Sequence, residues 1–128
     1  MTPMQKTADA NPRQTILVVE DEVLVRLDIS ETLRAHGYHV LEAASADKAL
    51  QILSEEKTIH LVFTDIRMPG RYDGFDVARV ATGHGVPVLI TSGHVYLHEI
   101  QEDWRPLLSK PYRHSEVLRL IDRKLGRS

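Results

Sequence analysis

The sequence predicts an α/β protein, a doubly wound (βα)5 domain built on a five-stranded parallel sheet. Two observations predict this fold. Short apolar runs rich in β-branched residues alternate five times with segments of helical periodicity, and this alternation is typical of a parallel sheet covered by helices on both faces. Polar residues also follow the apolar runs, at the sheet edge where such folds bind ligands. The length of 128 residues suits one compact domain.

The predicted strands are short apolar segments, as expected of strands buried on both faces. The first, TILVVED, is β-branched and ends in acids, the second alternates in hydropathy, and Pro87 near the start of the fourth is tolerated there. The fifth is a short strand within PLLSKP. The predicted strand segments are residues 15–21, 38–43, 59–65, 86–93 and 106–111.

The predicted helices follow the strands and have recognisable ends. The first carries Leu24, Leu27 and Leu33 near helical spacing and closes at Gly37. Ser45 is placed to cap the second. The fourth has a poor apolar stripe, whereas the last is clearly amphipathic. The predicted helical segments are residues 22–37, 46–56, 74–82, 94–104 and 114–126.

The apolar stripes of two of these helices define expected core positions. In the second helix they are Ala49, Leu50 and Leu53. In the last they are Leu118, Leu120, Ile121 and Leu125. We expect these side chains to pack on the sheet.

Composition excludes several classes of function. The net charge of −2 gives no global attraction to nucleic acid or to an acidic membrane surface. The chain has no cysteine, so it has no disulfide, thiol nucleophile or thiolate metal site. No apolar run approaches the length of a membrane span. We predict a flexible tail over residues 1–14, a domain over 15–126, no further output domain, and a cytoplasmic location.

Polar and charged residues collect at the ends of four predicted strands, while the strand bodies are apolar. Because the carboxyl ends of parallel strands meet at one edge, we expect these side chains to lie close together. The residues are Glu20, Asp21, Asp65, Thr91, Ser92, Lys110 and Pro111.

The chemistry of this set points to phosphoryl transfer. Three neighbouring carboxylates repel one another, and Mg²⁺, which prefers oxygen ligands, relieves that repulsion. A lysine and a hydroxyl are suited to stabilise phosphoryl oxygens. Asp65 alone is compatible with a helix cap, a turn residue, a metal ligand or a nucleophile. Its companions favour the nucleophile that forms an aspartyl phosphate.

Four motifs in order resemble the receiver domain of two-component response regulators, of the CheY-like kind. They are VVEDE, TDIRMPG followed by DG, TSG, and KP, and the resemblance runs from about Thr15 to Leu125. TSGH and SKPY are also similar to receivers common in alphaproteobacteria, either stand-alone or fused to hybrid kinases. The resemblance implies a flavodoxin-like strand order of 2-1-3-4-5.

The resemblance also implies a role for each motif residue. Asp65 would accept a phosphoryl group from a phosphohistidine of a sensor histidine kinase or phosphotransfer protein. Mg²⁺ or Mn²⁺ would be held by Glu20, Asp21, Asp65 and the backbone carbonyl of Arg67. Thr91 and Lys110 would each bind a phosphoryl oxygen, and Pro111 would follow the lysine through a cis bond. The protein would be a switch rather than an enzyme, with its fourth helix, fifth strand and last helix as the surface for a downstream protein; a homodimer stays open.

Three features depart from the usual receiver pattern. Glu20 stands where aspartate is commoner, and the loop PGRYDG is one residue longer than usual. Leu107 occupies a position that usually carries a switch aromatic, so we expect phosphorylation to survive but its read-out to differ. Tyr96, Trp104 or Tyr112 are candidates for part of that role. Arg67 and Gly93 lie two residues beyond Asp65 and Thr91, where receivers tune phosphoaspartate lifetime.

Other functions remain as alternatives. A phosphatase of the haloacid-dehalogenase type needs a second aspartate where this chain has Arg67. A phosphorylation-independent interaction module would keep the fold without the switch. His94 and His98 have a spacing that can bind metal, but HEIQE lacks the second histidine of the zinc motif H-E-x-x-H. The basic last helix suits a solvated face or an acidic protein partner, and direct nucleic-acid binding is not expected.

Overall fold

A computed structural model describes residues 13–56, 58–93 and 100–127. The described strands form one parallel sheet in the order β2-β1-β3-β4-β5, which confirms the predicted fold class and strand order. Each strand is shorter than its predicted segment. Their bounds are β1, Thr15–Val19; β2, His39–Ala43; β3, Leu61–Asp65; β4, Val88–Ser92; and β5, Leu108–Ser109.

Four α-helices lie within the described residues. They are α1, Val23–Ala35; α2, Ala46–Glu55; α3, Gly74–Gly83; and α4, His114–Lys124. The predicted helix over 94–104 falls largely outside the described residues. Its described end is not α-helical: residues 100 and 101 are irregular and Glu102–Trp104 form a single 3₁₀ turn.

The alternation of side chains along each strand divides the core into two layers. Leu17 and Val19 of β1 face a layer that includes α2 and α3. Ile16 and Val18 of the same strand face a second layer that includes α1 and α4. The central strands are therefore buried on both faces, which explains why their sequences read as continuous apolar runs.

The predicted stripe of α1 is wrong in part. Leu33 is fully buried, but Leu24 is 80% exposed and Leu27 is 41% exposed. The buried face is formed by Ile29, Ser30 and Leu33. Helical spacing therefore predicted the right element and one of its three core residues, while the two in the first turns of α1 face solvent.

The predicted cap of α2 and the expected core positions of α2 and α4 are confirmed. Ser45 caps α2 by accepting a hydrogen bond from the Lys48 N–H. Ala49 and Leu53 are buried, and Leu50 packs against the same layer. In α4, Leu120 and Ile121 are buried, and Leu118 and Leu125 pack at the edge of their layer.

The last helix is anchored to the α1–β2 connection through Asp122. Its carboxylate accepts a hydrogen bond from the Tyr38 hydroxyl and lies 3.1 Å from His36 Nε2. Partial burial alone would raise the pKa of Asp122, but the hydrogen bonds from Tyr38 and His36 and the charge of Arg127 outweigh burial and lower it. The folded state therefore favours the ionised carboxylate.

Asp122→Asn is expected to lower the free energy of unfolding at neutral pH by about 1–3 kcal/mol, because the charge-assisted bonds are lost. Since the folded pKa lies below the unfolded one, the wild-type advantage is present above the ordinary pKa of 3.8 and disappears as the pH falls through the lowered pKa. Urea unfolding of both proteins across this range measures it. Glu31→Gln on the exposed side of α1 is the control, and a pH-independent deficit would contradict the linkage.

Within the part of the chain that the structure describes, no helix combines the length and the apolar character needed to cross a bilayer. Of the predicted tail, residues 1–12 lie outside the described residues. The main-chain carbonyl of Gln14 already accepts a hydrogen bond from His39 N–H, so the sheet contacts begin one residue before the predicted boundary.

Candidate functional site

The ends of β1, β3, β4 and β5 place four predicted site residues at one edge of the sheet. Asp65 is the last residue of β3, and its register partner on β4 is Thr91. Glu20 follows the last residue of β1, and Lys110 follows the last residue of β5. Because all four strands are parallel, their carboxyl ends converge.

Three carboxylates form the acidic part of this site. Each of Glu20, Asp21 and Asp65 offers an oxygen, and these oxygens lie within 4.8 Å of one another. Glu20 is 2% exposed and Asp65 is 8% exposed. Burial raises the pKa of Glu20, and the neighbouring Asp65 charge and Asp21 add to that effect, while the Glu22 N–H and Lys110 oppose it. The site thus concentrates negative charge that water screens poorly.

Lys110 is the cation that the structure places among these acids. Its Nζ donates a hydrogen bond of 2.8 Å to Asp65 Oδ2 and lies 3.5 Å from Glu20 Oε1. Burial acts to lower the pKa of Lys110, but its hydrogen bond to Asp65 and the charges of Asp65 and Glu20 outweigh burial, so the pKa is raised. Lys110 is therefore held protonated beside Asp65.

Thr91 has a hydroxyl without a partner. The residue is fully buried, and its Oγ1 makes no hydrogen bond with any residue that the structure describes. An unsatisfied buried hydroxyl costs about 1–3 kcal/mol, so its presence in a native fold calls for an explanation. A phosphoryl oxygen on the neighbouring strand end would supply the missing acceptor.

The start of α3 packs directly against the main chain at Asp65 and Ile66. Asp65 Oδ1 accepts a 2.8 Å hydrogen bond from the Ile66 N–H, and the Ile66 carbonyl accepts one from the Gly74 N–H at the same distance. A Cβ at Gly74 would lie 1.9 Å from the Asp65 carbonyl oxygen. Only glycine allows the start of α3 to approach the end of β3 this closely.

The longer loop in PGRYDG leads into a well-capped helix. Gly70 adopts a positive φ of 119°. Asp73 accepts hydrogen bonds from the N–H groups of Phe75 and Asp76, and the Asp76 carboxylate accepts one from the Asp73 N–H. This reciprocal capping box fixes the helix start against Asp65 despite the extra loop residue.

Sequence reasoning missed two side chains, Arg26 and Glu42, that hold the main chain at Glu20. The Arg26 guanidinium donates a 2.9 Å hydrogen bond to the Glu20 main-chain carbonyl, and its Nε donates to Glu42 Oε1 at 3.2 Å. An arginine one turn into a helix and a glutamate in a strand have no sequence signature for such a contact. The pairing depends on how α1 crosses β2.

A family model described as "Response regulator receiver domain" matches residues 16–122. The chain belongs to the response regulator receiver family. This membership confirms the resemblance drawn from the four motifs and leaves the dehalogenase-type alternative without support.

Relatives and solved structures agree with this assignment. The receiver is 33% identical over 120 residues to "Two-component response regulator ORR3" of Oryza sativa, covering 88% of this chain and 91% of the relative. A response regulator receiver protein from Sinorhizobium medicae has a TM-score of 0.80 and 32% identity, covering 89% of this chain and 95% of its own. The receiver domain of the hybrid histidine kinase CckA has a TM-score of 0.73 and 37% identity, over 87% of this chain and 98% of its own.

The predicted read-out residues occupy different environments in the receiver. Leu107 is half-buried and packs against the layer that contains Trp104. Trp104 is 1% exposed, stacks on Phe75 with ring centroids 6.1 Å apart, and donates its indole N–H to Thr82 Oγ1 at 2.9 Å. Tyr112 is half-buried beside Phe63, and burial raises its pKa to about 12. Their roles in read-out stay predictions.

Several further predictions can be located. The Lys110–Pro111 bond is cis, as the resemblance implied. Arg67 is exposed. Tyr96, His94 and His98 lie outside the described residues, and their proposed roles stay untested.

The donor set of the receiver fits a hard divalent cation. Three carboxylate oxygens within 4.8 Å of one another match the oxygen ligation that Mg²⁺ prefers. Burial is the main cause of the raised pKa of Glu20, and the Asp65 charge and Asp21 add to the cost of ionising it. A divalent ion would relieve that cost.

Proposed function

We propose that this receiver is a phosphoacceptor switch in which Asp65 takes a phosphoryl group from a phosphohistidine. The donor is a sensor histidine kinase or a phosphotransfer protein of a two-component phosphorelay. The observation that carries the proposal is the surroundings of Asp65. Its buried carboxylate accepts a 2.8 Å hydrogen bond from Lys110, and its register partner Thr91 carries a buried hydroxyl with no hydrogen-bond partner among the described residues.

The proposed reaction forms one bond and breaks one. A carboxylate oxygen of Asp65 attacks the phosphorus of the phosphohistidine, the P–N bond breaks, and the donor imidazole leaves with the electron pair of that bond. The product is an aspartyl phosphate, which water later hydrolyses to return the carboxylate. The Ile66 N–H orients Asp65 for the attack through its 2.8 Å hydrogen bond to Oδ1.

A divalent cation completes the proposed site. Glu20, Asp21, Asp65 and the main-chain carbonyl of Arg67 would hold Mg²⁺ or Mn²⁺. When bound, the cation supplies positive charge to the phosphoryl oxygens during transfer. Lys110 contributes a second positive charge from the β5 side, and the Thr91 hydroxyl donates a hydrogen bond to a further phosphoryl oxygen.

Incubation of the purified chain with acetyl phosphate and Mg²⁺, followed by intact-protein mass spectrometry, tests the proposal. We expect a mass gain of one phosphoryl group that disappears when Mg²⁺ is chelated. A folded protein that gains no phosphoryl group from saturating donor would leave the phosphorylation-independent module as the function.

The output of the switch is proposed to be a changed protein surface rather than a chemical product. The chain would catalyse only its own phosphorylation and dephosphorylation. The proposed output surface comprises the segment 94–104, which the sequence predicts as the fourth helix, together with β5 and α4, and it carries Leu107 in place of the usual aromatic. The downstream protein, a homodimer and a cytoplasmic location stay predictions from the sequence.

The exposed apolar start of α1 is a proposed docking surface for the phosphohistidine donor. Val23, Leu24 and Leu27 are exposed on this helix. Leu24 also lines a groove of about 630 Å³ that reaches Lys110 and Pro111 at the site edge. A donor helix seated here would bury apolar surface while presenting its histidine to Asp65.

Leu24→Glu replaces an apolar docking contact by a charge. We expect it to slow phosphotransfer from a histidine phosphotransferase by about tenfold or more, which corresponds to a loss of about 1.4 kcal/mol of binding energy. Labelling by acetyl phosphate should be unchanged, since a small donor needs no docking. Val80→Glu on α3, outside this groove, is the matched control. Equal slowing with both donors would show that Leu24 acts on the site and not on docking.

A further inference from the structure

The Glu20 main chain is fixed from two sides. Its N–H donates a 3.1 Å hydrogen bond to the Ala43 carbonyl of β2, and its carbonyl accepts a 2.9 Å hydrogen bond from the Arg26 guanidinium. Its side chain is held separately, because Oε2 accepts a 3.0 Å hydrogen bond from the Glu22 N–H. The contact with Arg26 is thus the one that joins α1 to the strand end through the Glu20 carbonyl.

Arg26 is in turn anchored by Glu42. Its Nε donates to Glu42 Oε1 at 3.2 Å, and Arg34 donates to the other oxygen of Glu42 at 3.1 Å. The Arg26 and Glu42 side chains are 15% and 22% exposed, so solvent screens their pairing only in part. Glu42 lies on β2 opposite Val18 of β1, which places the anchor on the sheet itself.

We propose that Arg26 is a positioning residue for the divalent-cation site, with Glu42 as its anchor. This inference rests on the proposed function, because it concerns the same cation. Glutamate has one more side-chain torsion than aspartate, so placing the Glu20 carboxylate at a fixed point requires its main chain to be held as well as its side chain. Arg26 supplies that restraint through the Glu20 carbonyl. Outer contacts of this kind typically change metal affinity by about 10–100-fold.

The direction in which an Arg26 substitution changes Mg²⁺ affinity distinguishes a positioning role from a purely electrostatic one. Removing the positive charge of Arg26 near a cation site should strengthen Mg²⁺ binding if only Coulomb interactions matter. Loss of the hydrogen bond to the Glu20 carbonyl should weaken binding if Arg26 positions the ligand. The two explanations therefore predict opposite changes in the dissociation constant.

Isothermal titration of the full chain with MgCl₂ measures this change directly. We expect Arg26→Met to raise the dissociation constant by about tenfold. Arg34→Met is the matched control, because it removes the same charge from the other oxygen of Glu42 without touching Glu20. We expect its dissociation constant to be equal to or lower than that of the wild type. Thermal unfolding in EDTA checks the fold, and Arg26→Lys, which keeps the charge but not both contacts, should weaken binding if Arg26→Met does not fold.

A double-mutant cycle tests the anchoring role of Glu42. Glu42→Gln alone should weaken Mg²⁺ binding, because Arg26 loses its charged partner, but it should add nothing in the Arg26→Met background. With acetyl phosphate, the Mg²⁺ concentration for half-maximal labelling of Arg26→Met should rise while the rate at saturating Mg²⁺ stays near wild type.

The outcomes distinguish this inference from the proposed function. Unchanged or tighter Mg²⁺ binding by Arg26→Met, with a wild type that binds Mg²⁺, would overturn the positioning role alone. Equal weakening in Arg26→Met and Arg34→Met would also overturn it. A wild type that binds no Mg²⁺ would overturn both the inference and the proposed cation site.

Discussion

Asp65→Asn is expected to abolish phosphoryl labelling by acetyl phosphate completely. An amide oxygen is a far weaker nucleophile than a carboxylate, and the substitution also removes one of the three acids that would hold the cation. The protein should remain folded, because asparagine has nearly the same size and its amide oxygen can still accept the hydrogen bond from the Ile66 N–H. The bond from Lys110 is lost, because an amide NH₂ group in place of Oδ2 cannot accept it. Intact-protein mass spectrometry and circular dichroism measure the two outcomes.

Two further variants separate the nucleophile from its neighbours. Asp21→Asn should reduce labelling at low Mg²⁺ but recover as Mg²⁺ is raised, because Asp21 is proposed as a ligand only. Asp103→Asn, an exposed acid outside the carboxylate cluster, should label like the wild type. Retained labelling of Asp65→Asn would mean that another residue accepts the phosphoryl group.

Gly74→Ala is expected to be the most disruptive single-methyl change at the site. The new Cβ would lie 1.9 Å from the Asp65 carbonyl oxygen and 2.7 Å from Ile66 Cα, so backbone must move. Overpacking of this kind costs about 1–3 kcal/mol of unfolding free energy, and more when backbone atoms clash. Because the same contact fixes the segment after Asp65, labelling by acetyl phosphate should also slow strongly. Urea unfolding and the labelling rate are the measurements.

The same helix offers a matched control. Gly83 is the last residue of α3, and a Cβ there meets nothing within 4 Å. Gly83→Ala should leave labelling unchanged and hold or slightly raise stability, since alanine favours helix over glycine by about 1 kcal/mol. Similar losses in both variants would show that the helix as a whole, and not the approach to Asp65, governs the effect.

The fold was predictable from the sequence because burial and periodicity agree along most of the chain. Continuous apolar runs marked the strands, and parallel strand ends then brought Glu20, Asp65, Thr91 and Lys110 together without any three-dimensional information. Helical faces were harder to assign. Leu24 and Leu27 have the spacing of a buried stripe but are exposed, because which face of α1 meets the sheet depends on its packing angle.

The supporting contacts of the site could not be predicted for a related reason. The Arg26 side chain contacts the Glu20 carbonyl, and Gly74 lies against the Asp65 carbonyl. In both cases the group contacted is a main-chain carbonyl, which every residue possesses. Sequence patterns identify side-chain chemistry but say little about which carbonyl a distant side chain or helix start will approach.

The burial of Trp104 gives the receiver an intrinsic optical reporter. The chain has one tryptophan, so its fluorescence comes from a single environment. That indole stacks on Phe75, the residue after Gly74, and Gly74 abuts the carbonyl of Asp65. A displacement of the main chain at Asp65 is thus two contacts away from a chromophore. We therefore expect tryptophan emission to follow phosphorylation at the proposed acceptor in real time, without any attached label.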